Sequence, residues 1–159
     1  MTHCISTRRL GLVSLFLVTL LPLSASAEPT LEDVLEFVTA ETAVKQPTEV
    51  DSEFDDRLGQ FSKLMAENIV DRHVSYGVEF SGKENFVRRL RNGRQRMRSY
   101  KKVIHSIELG INTATVRFNE RSSYMKDGAL TDYDGQMLWV LRYDDDGLVD
   151  LIYRFHDGL

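Results

Sequence analysis

Residues 113–156 read TATVRFNERSSYMKDGALTDYDGQMLWVLRYDDDGLVDLIYRFH, and they decide the fold. Along Ala114, Val116 and Phe118 apolar residues recur at every second position, the period of a half-buried strand. Asp127-Gly128 and Asp144-Asp145-Asp146-Gly147 break the run, and Asp-Gly between apolar stretches marks a hairpin. With Gly110-Ile111-Asn112 just upstream, strands are expected at about 100–109, 113–125, 131–143 and 148–156, joined as an antiparallel meander. One stretch departs from alternation: Met137-Leu138-Trp139-Val140-Leu141 is apolar throughout. Met137, Trp139 and Leu141 then face one side and Leu138 and Val140 the other, and both sides need cover. The simplest cover for the second side is the same sheet of another copy, so a homodimer is expected. A single strand with a few exposed apolar residues is the other reading.

Upstream of the meander the period changes to that of helices. Thr30 caps a helix with an acid three residues on, and Leu31, Val34, Leu35 and Val38 form its apolar stripe. After Pro47 the capping pattern repeats at Thr48–Asp51, and Phe54, Leu58, Phe61, Met65 and Ile69 share one face of a second helix. Ile69 to Tyr76 reads as extended, with Gly77 and Gly82 flanking Val78-Glu79-Phe80. A short third helix is expected from Lys83 to about Asn92, with Phe86, Val87 and Leu90 inward and Gly93 ending or weakening it. Helices first and strands later make an α+β domain with the helices on one face of the sheet.

The first 27 residues carry a different message. Arg8 and Arg9 precede a 14-residue apolar run, Leu10 to Leu23, and Ala25-Ser26-Ala27 follows. Charge, short apolar core and A-x-A site in that order form a secretory signal. The run falls short of the roughly 20 residues a bilayer span needs. Residues 1–27 are therefore expected to be a signal peptide cleaved after Ala27. Residues 28–159 then form one domain, periplasmic or secreted, with no stable membrane span. Cleavage removes the only cysteine, Cys4, and leaves 18 Lys and Arg against 24 Asp and Glu, a net charge of −6. That balance disfavours nucleic acid as a partner.

Two stretches carry a family resemblance. Ala66-Glu67-Asn68-Ile69-Val70, leading through Ser81-Gly82 into the third helix, is one; Trp139 through Arg142-Tyr143 to Asp146-Gly147 is the other. Together with the order of elements they resemble the nuclear-transport-factor-2-like superfamily, its SnoaL-like and ketosteroid-isomerase-like members in particular. The resemblance implies three N-terminal helices packed on a strongly bent antiparallel sheet. The two layers form a cone, a cystatin-like α+β roll with a pocket inside. It does not choose a reaction, because that superfamily spans isomerases, dehydratases, cyclases, hydrolases and non-catalytic members.

The resemblance also places candidate residues. His73 falls where ketosteroid isomerase keeps its aspartate general base, and an imidazole can take and return a proton. A surface or hydrogen-bonded histidine at a strand end is the bland alternative. Trp139 falls where the isomerase has a protonated aspartic acid; an indole N–H can donate there, or the ring can simply fill the pocket. His105, alternating with Val103, Ile107 and Leu109, lies on an apolar side of its strand. It matches the strand on which some SnoaL-like dehydratases carry a catalytic histidine, or is a core histidine bonded to backbone. Glu120 and Tyr124 follow the apolar face of their strand as a pocket mouth would, and Tyr76 is a further candidate for its lining.

The run Arg88, Arg89, Arg91, Arg94, Arg96, Arg98, Lys101, Lys102 is either a solvated face or a surface for anions. No metal-binding spacing and no cofactor fingerprint occur, so no cofactor is expected. Two functions fit. One is binding of a small apolar or amphipathic molecule in an apolar conical pocket, with cofactor-free proton transfer of isomerase or dehydratase type by His73. The other is a non-catalytic dimerising module that binds a protein or envelope component.

Overall fold

The computed structural model describes residues 28–156, so the reading of residues 1–27 as a signal peptide lies outside the described residues. Helix α1 (Leu31–Lys45) begins at a reciprocal capping box. Thr30 Oγ1 accepts from the Asp33 N–H at 3.2 Å, and Asp33 Oδ2 accepts from the Thr30 N–H at 2.7 Å. Helix α2 (Asp51–Lys63) follows, then strand β1 (Met65–His73), a single 3-10 turn (Val74–Tyr76), β2 (Val78–Ser81) and helix α3 (Lys83–Arg94). The chain ends in four long strands, β3 (Met97–Gly110), β4 (Thr113–Lys126), β5 (Ala129–Tyr143) and β6 (Val149–His156). Among the described residues no helix is long and apolar enough to cross a membrane.

The meander forms as the sequence suggests. Asp127 (φ 51°) and Gly128 (φ 82°) make the two-residue turn between β4 and β5, both in the left-handed region that such a hairpin requires. The sheet is wider than the meander, with six strands in the order β2-β1-β6-β5-β4-β3. β1 lies parallel to β6 and all other neighbours are antiparallel. The three helices cover one face of this open, cone-like sheet. Between the layers Phe37, Phe54, Phe61, Phe118, Trp139, Leu141 and Ile152 are almost wholly buried. β5 alternates as its composition implied: Met137, Trp139 and Leu141 point into this core, and Leu138 and Val140 lie half-buried on the outer face.

Three expectations are corrected. The inner stripe of α1 is Val34, Phe37, Val38, Glu41 and Val44, whereas Leu31 and Leu35 are exposed. A stripe containing a glutamate is invisible to a search for apolar periodicity. Helix α2 stops at Lys63, and Met65 and Ile69 reach the core from β1 instead. Positions four apart share a face in a strand as well as in a helix, so their spacing did not discriminate. The third correction concerns β3. Ile104 pairs with Phe118 and Ser106 with Arg117, which leaves His105 as the unpaired residue of a β-bulge. The bulge resets the alternation. Tyr100, Lys102 and Ile104 therefore face inward before it and Ile107 after it, while Val103 and His105 point outward.

Candidate functional site

The inner face of the sheet carries charges where a core would carry only apolar groups. On β1 the inward series is Ile69, Asp71 and His73; on β6 it is Ile152, Arg154 and His156. Parallel pairing sets Asp71 beside Ile152 and His73 beside Arg154, while antiparallel pairing sets Arg154 beside Trp139 and His156 beside Met137. From above, α1 lowers Glu41, which is 0% exposed. From β3, on the inward side of the bulge, comes Lys102, whose side chain is 3% exposed.

These side chains form one connected network. Glu41 is ion-paired to Lys102, to Lys45 at 2.8 Å and to Arg154 at 3.5 Å. Arg154 Nε donates to Asp71 Oδ1 at 2.6 Å. The other oxygen, Asp71 Oδ2, lies 3.3 Å from His73 Nε2 and 3.7 Å from an Arg89 guanidinium nitrogen. His73 Nδ1 lies 3.1 Å from His156 Nε2, with the two rings stacked 5.3 Å apart. At the opposite end, Lys45 donates to the Tyr100 hydroxyl at 3.3 Å, and Tyr100 donates to Glu120 at 2.7 Å. Trp139 floors the network: Lys102 Nζ is 3.7 Å and the Arg154 guanidinium carbon 4.2 Å from its indole centroid.

Electrostatics follow from this packing. Burial pushes the Glu41 carboxyl up, but Lys102, Lys45 and Arg154 together overcome that and hold it well below the usual carboxylate range. Asp71 behaves likewise: burial raises it, Arg154 and the His73 hydrogen bond lower it further, and it settles at about 2. Lys102 moves the other way. Burial drives its ammonium below the usual lysine range, Lys45 and Arg154 add repulsion, and Glu41 only partly offsets them. Both carboxylates are thus anions under ordinary conditions. An ionised Asp71 can only accept, which assigns the His73 proton to Nε2 and leaves Nδ1 as the basic nitrogen, facing His156.

A cavity of about 400 Å³ opens against this network. Glu41, Asp71, His73 and Arg154 form its polar wall, and Val44, Phe86, Leu90 and Met97 its apolar one. Arg89, Arg94 and Arg96 also line it. The hollow is therefore not the apolar cone the sequence suggested, because a buried carboxylate on α1 and another on β1 draw cations inward. Among the described residues no three His, Cys, Asp or Glu side chains converge as a metal site would need.

Of the candidate catalytic and pocket residues His73, Trp139, His105, Tyr124, Glu120 and Tyr76, His73 alone lies on the cavity wall. Trp139 is 0% exposed and sits beneath Lys102 and Arg154 without lining the cavity. Glu120 is half-buried against Tyr100, and Tyr124 is half-buried on β4 opposite Thr131 and Met97, both away from the wall. Tyr76 is 60% exposed and packs on His156, ring centroids 4.6 Å apart. His105 is on the outer face of the sheet, hydrogen-bonded to Asn119 at 3.0 Å. The basic run divides: Arg91 and Arg94 pair with Asp55 and Asp51 of α2, while Arg89, Arg94 and Arg96 reach the cavity. Asp71 and Arg154 escaped the sequence reading. The signal that could have found them is a charged residue at an inward position of an otherwise apolar strand.

No protein-family model matches the sequence, and neither does any curated protein. Solved structures do match. A protein from Shewanella denitrificans assigned as a SnoaL-like polyketide cyclase superposes with a TM-score of 0.66 at 12% identity, over 79% of this chain and 88% of that one. An epoxide hydrolase of LEH-like type from Mycobacterium tuberculosis gives 0.57 at 14%, over 79% and 84%. A ketosteroid-isomerase-like protein from Catenulispora acidiphila, solved with trimethylamine, gives 0.56 at 16%, over 77% and 85%. At these identities the likeness establishes the fold, which is the nuclear-transport-factor-2-like, SnoaL-like α+β cone.

Proposed function

We propose that this chain is an exported small-molecule-binding domain in which His73, oriented by Asp71, takes up and returns a proton without a cofactor. The observation that carries the reading is the contact of His73 Nε2 with the buried Asp71 carboxylate, 3.3 Å, on the wall of a cavity. A carboxylate that fixes the tautomer of a histidine and stabilises its charged form is how an imidazole base is prepared for its task. With the His73 proton on Nε2, Nδ1 accepts from His156 Nε2 at 3.1 Å, so a proton drawn from a substrate C–H is taken up by the stacked His73–His156 pair and held in common. Returning it to another carbon gives an isomerisation; expelling a leaving group instead gives an elimination. That isomerase-like, cyclase and hydrolase proteins share this fold supports a reaction of this kind.

Export rests on the signal-peptide pattern of residues 1–27 and places the domain in the periplasm or outside the cell. Dimerisation rests on the outer sheet face, where Leu138, Val140 and Phe155 are half-buried and Val103 is 44% exposed.

Incubation of the purified protein in D2O with a panel of enolisable ketones tests the chemistry. Deuterium incorporation by the wild type that falls about 100-fold or more in His73→Asn supports the reading, the range expected for one acid–base group. Equal incorporation by both proteins contradicts it.

A further inference from the structure

We infer that the ligand of this cavity is a small amphipathic anion, a carboxylic acid whose apolar body lies along Val44, Phe86, Leu90 and Met97 and whose carboxylate docks at Arg89 and Arg96. The inference deepens the binding function proposed above and rests on it. Charge balance carries it. The cavity wall holds five cationic side chains, Lys45, Arg89, Arg94, Arg96 and Arg154, against the two carboxylates Glu41 and Asp71. Lys102 stands behind the wall and adds another cation against Glu41. Glu41 is shared by Lys45, Lys102 and Arg154, and Asp71 is taken by Arg154 and His73. Arg94 is occupied by Asp51 and by the Thr48 carbonyl.

Two guanidinium groups are then left in surplus. Among the described residues Arg89 has only the 3.7 Å ion pair with Asp71, longer than a hydrogen bond, and it lies over the Phe80 ring. Arg96 makes no ion pair or side-chain hydrogen bond among the described residues. A stacked guanidinium keeps its fork of donors pre-organised, the arrangement that suits a carboxylate. The low-polarity part of the wall, Val44 and Phe86 above all, accepts an apolar body, and the volume lies within the usual range of about 300–1,000 Å³ for ligand sites. A cation would meet repulsion from every unmatched group in the wall. Burial and neighbouring cations depress Lys102, so an anion bound nearby would offset part of that repulsion.

The test is calorimetric titration of the purified protein with three matched probes: cinnamate, cinnamamide and cinnamyltrimethylammonium. The His73 ring resonances report in parallel whether the cavity is filled. The expected result is cinnamate binding about tenfold or more tighter than the amide, with the ammonium weakest and the preference shrinking as salt is added. In Arg89→Gln and Arg96→Gln the acid's advantage falls while amide affinity stays, which separates lost charge recognition from lost folding. Equal affinities of acid and amide, or a preference for the ammonium, overturn the anion inference while leaving a ligand-binding cavity. Failure of all three probes to bind or to shift the His73 resonances overturns both.

Discussion

Arg154 and Trp139 are cross-strand partners on β6 and β5, and the guanidinium carbon sits 4.2 Å from the indole centroid while its Nε donates to Asp71 at 2.6 Å. One side chain thus joins the packed core to the polar wall of the cavity. Removing it leaves Asp71 and Glu41 buried with fewer counter-charges. Arg154→Leu is expected to lower stability by about 3–5 kcal/mol, read as a shift in the urea midpoint at unchanged slope. Adding Asp71→Asn to that variant should recover part of the loss, because it removes one of the stranded charges.

The two acids of the interior are not equivalent to its cations. Glu41 answers three of them, so Glu41→Gln leaves Lys102 buried without its carboxylate and takes one counter-charge each from Lys45 and Arg154. Lys102→Met leaves Glu41 two partners and removes a cation that burial already disfavours. Denaturant unfolding should therefore show a loss of about 3–5 kcal/mol for Glu41→Gln and a clearly smaller one for Lys102→Met. The reverse order would show that Lys102, not Glu41, anchors the network.

Acid should unfold the domain through the same pair. The folded values of Asp71 and Glu41 are depressed, so between about pH 4 and pH 2 the unfolded chain binds protons that the fold excludes. Their contribution is fully present above the ordinary carboxylate value and is lost as pH falls through the folded one. Asp71 supplies about 2 kcal/mol of it. Thermal melting followed from neutral pH down to about pH 2 should drop steeply in the wild type and less in Asp71→Asn, which starts lower.

The outer sheet face gives a prediction about assembly. If Leu138 and Val140 meet a second copy, light scattering shows twice the chain mass, and Leu138→Asp returns a folded monomer. His105→Ala, which changes an exposed bulge residue on the same face, should alter stability by no more than about 0.5 kcal/mol. A wild type that runs as a monomer contradicts the dimer.

Much of the architecture was written locally. The Thr30 capping box, the Asp127-Gly128 turn and the apolar run around Trp139 each specify their conformation within a few residues, and each forms as read. What stayed hidden is whatever depends on a partner distant in the chain. Glu41 looks like an exposed glutamate in the sequence, because its burial depends on Lys102 and Arg154, which lie far along the chain. His105 sat on the apolar side by alternation, and only pairing with β4 reveals the bulge that turns it outward. His73 was found through a resemblance, but its orienting partner Asp71, two residues away, became meaningful only once β6 supplied Arg154.

A base role for His73 depends on where its one ring proton sits. Long-range ¹H–¹⁵N correlation of the histidine rings in the wild type, followed across a pH series, reads it directly. Nε2 should appear protonated, its hydrogen donated to the Asp71 carboxylate, with Nδ1 bare. A His73 protonated at Nδ1, or split evenly between tautomers, would contradict a base oriented by Asp71.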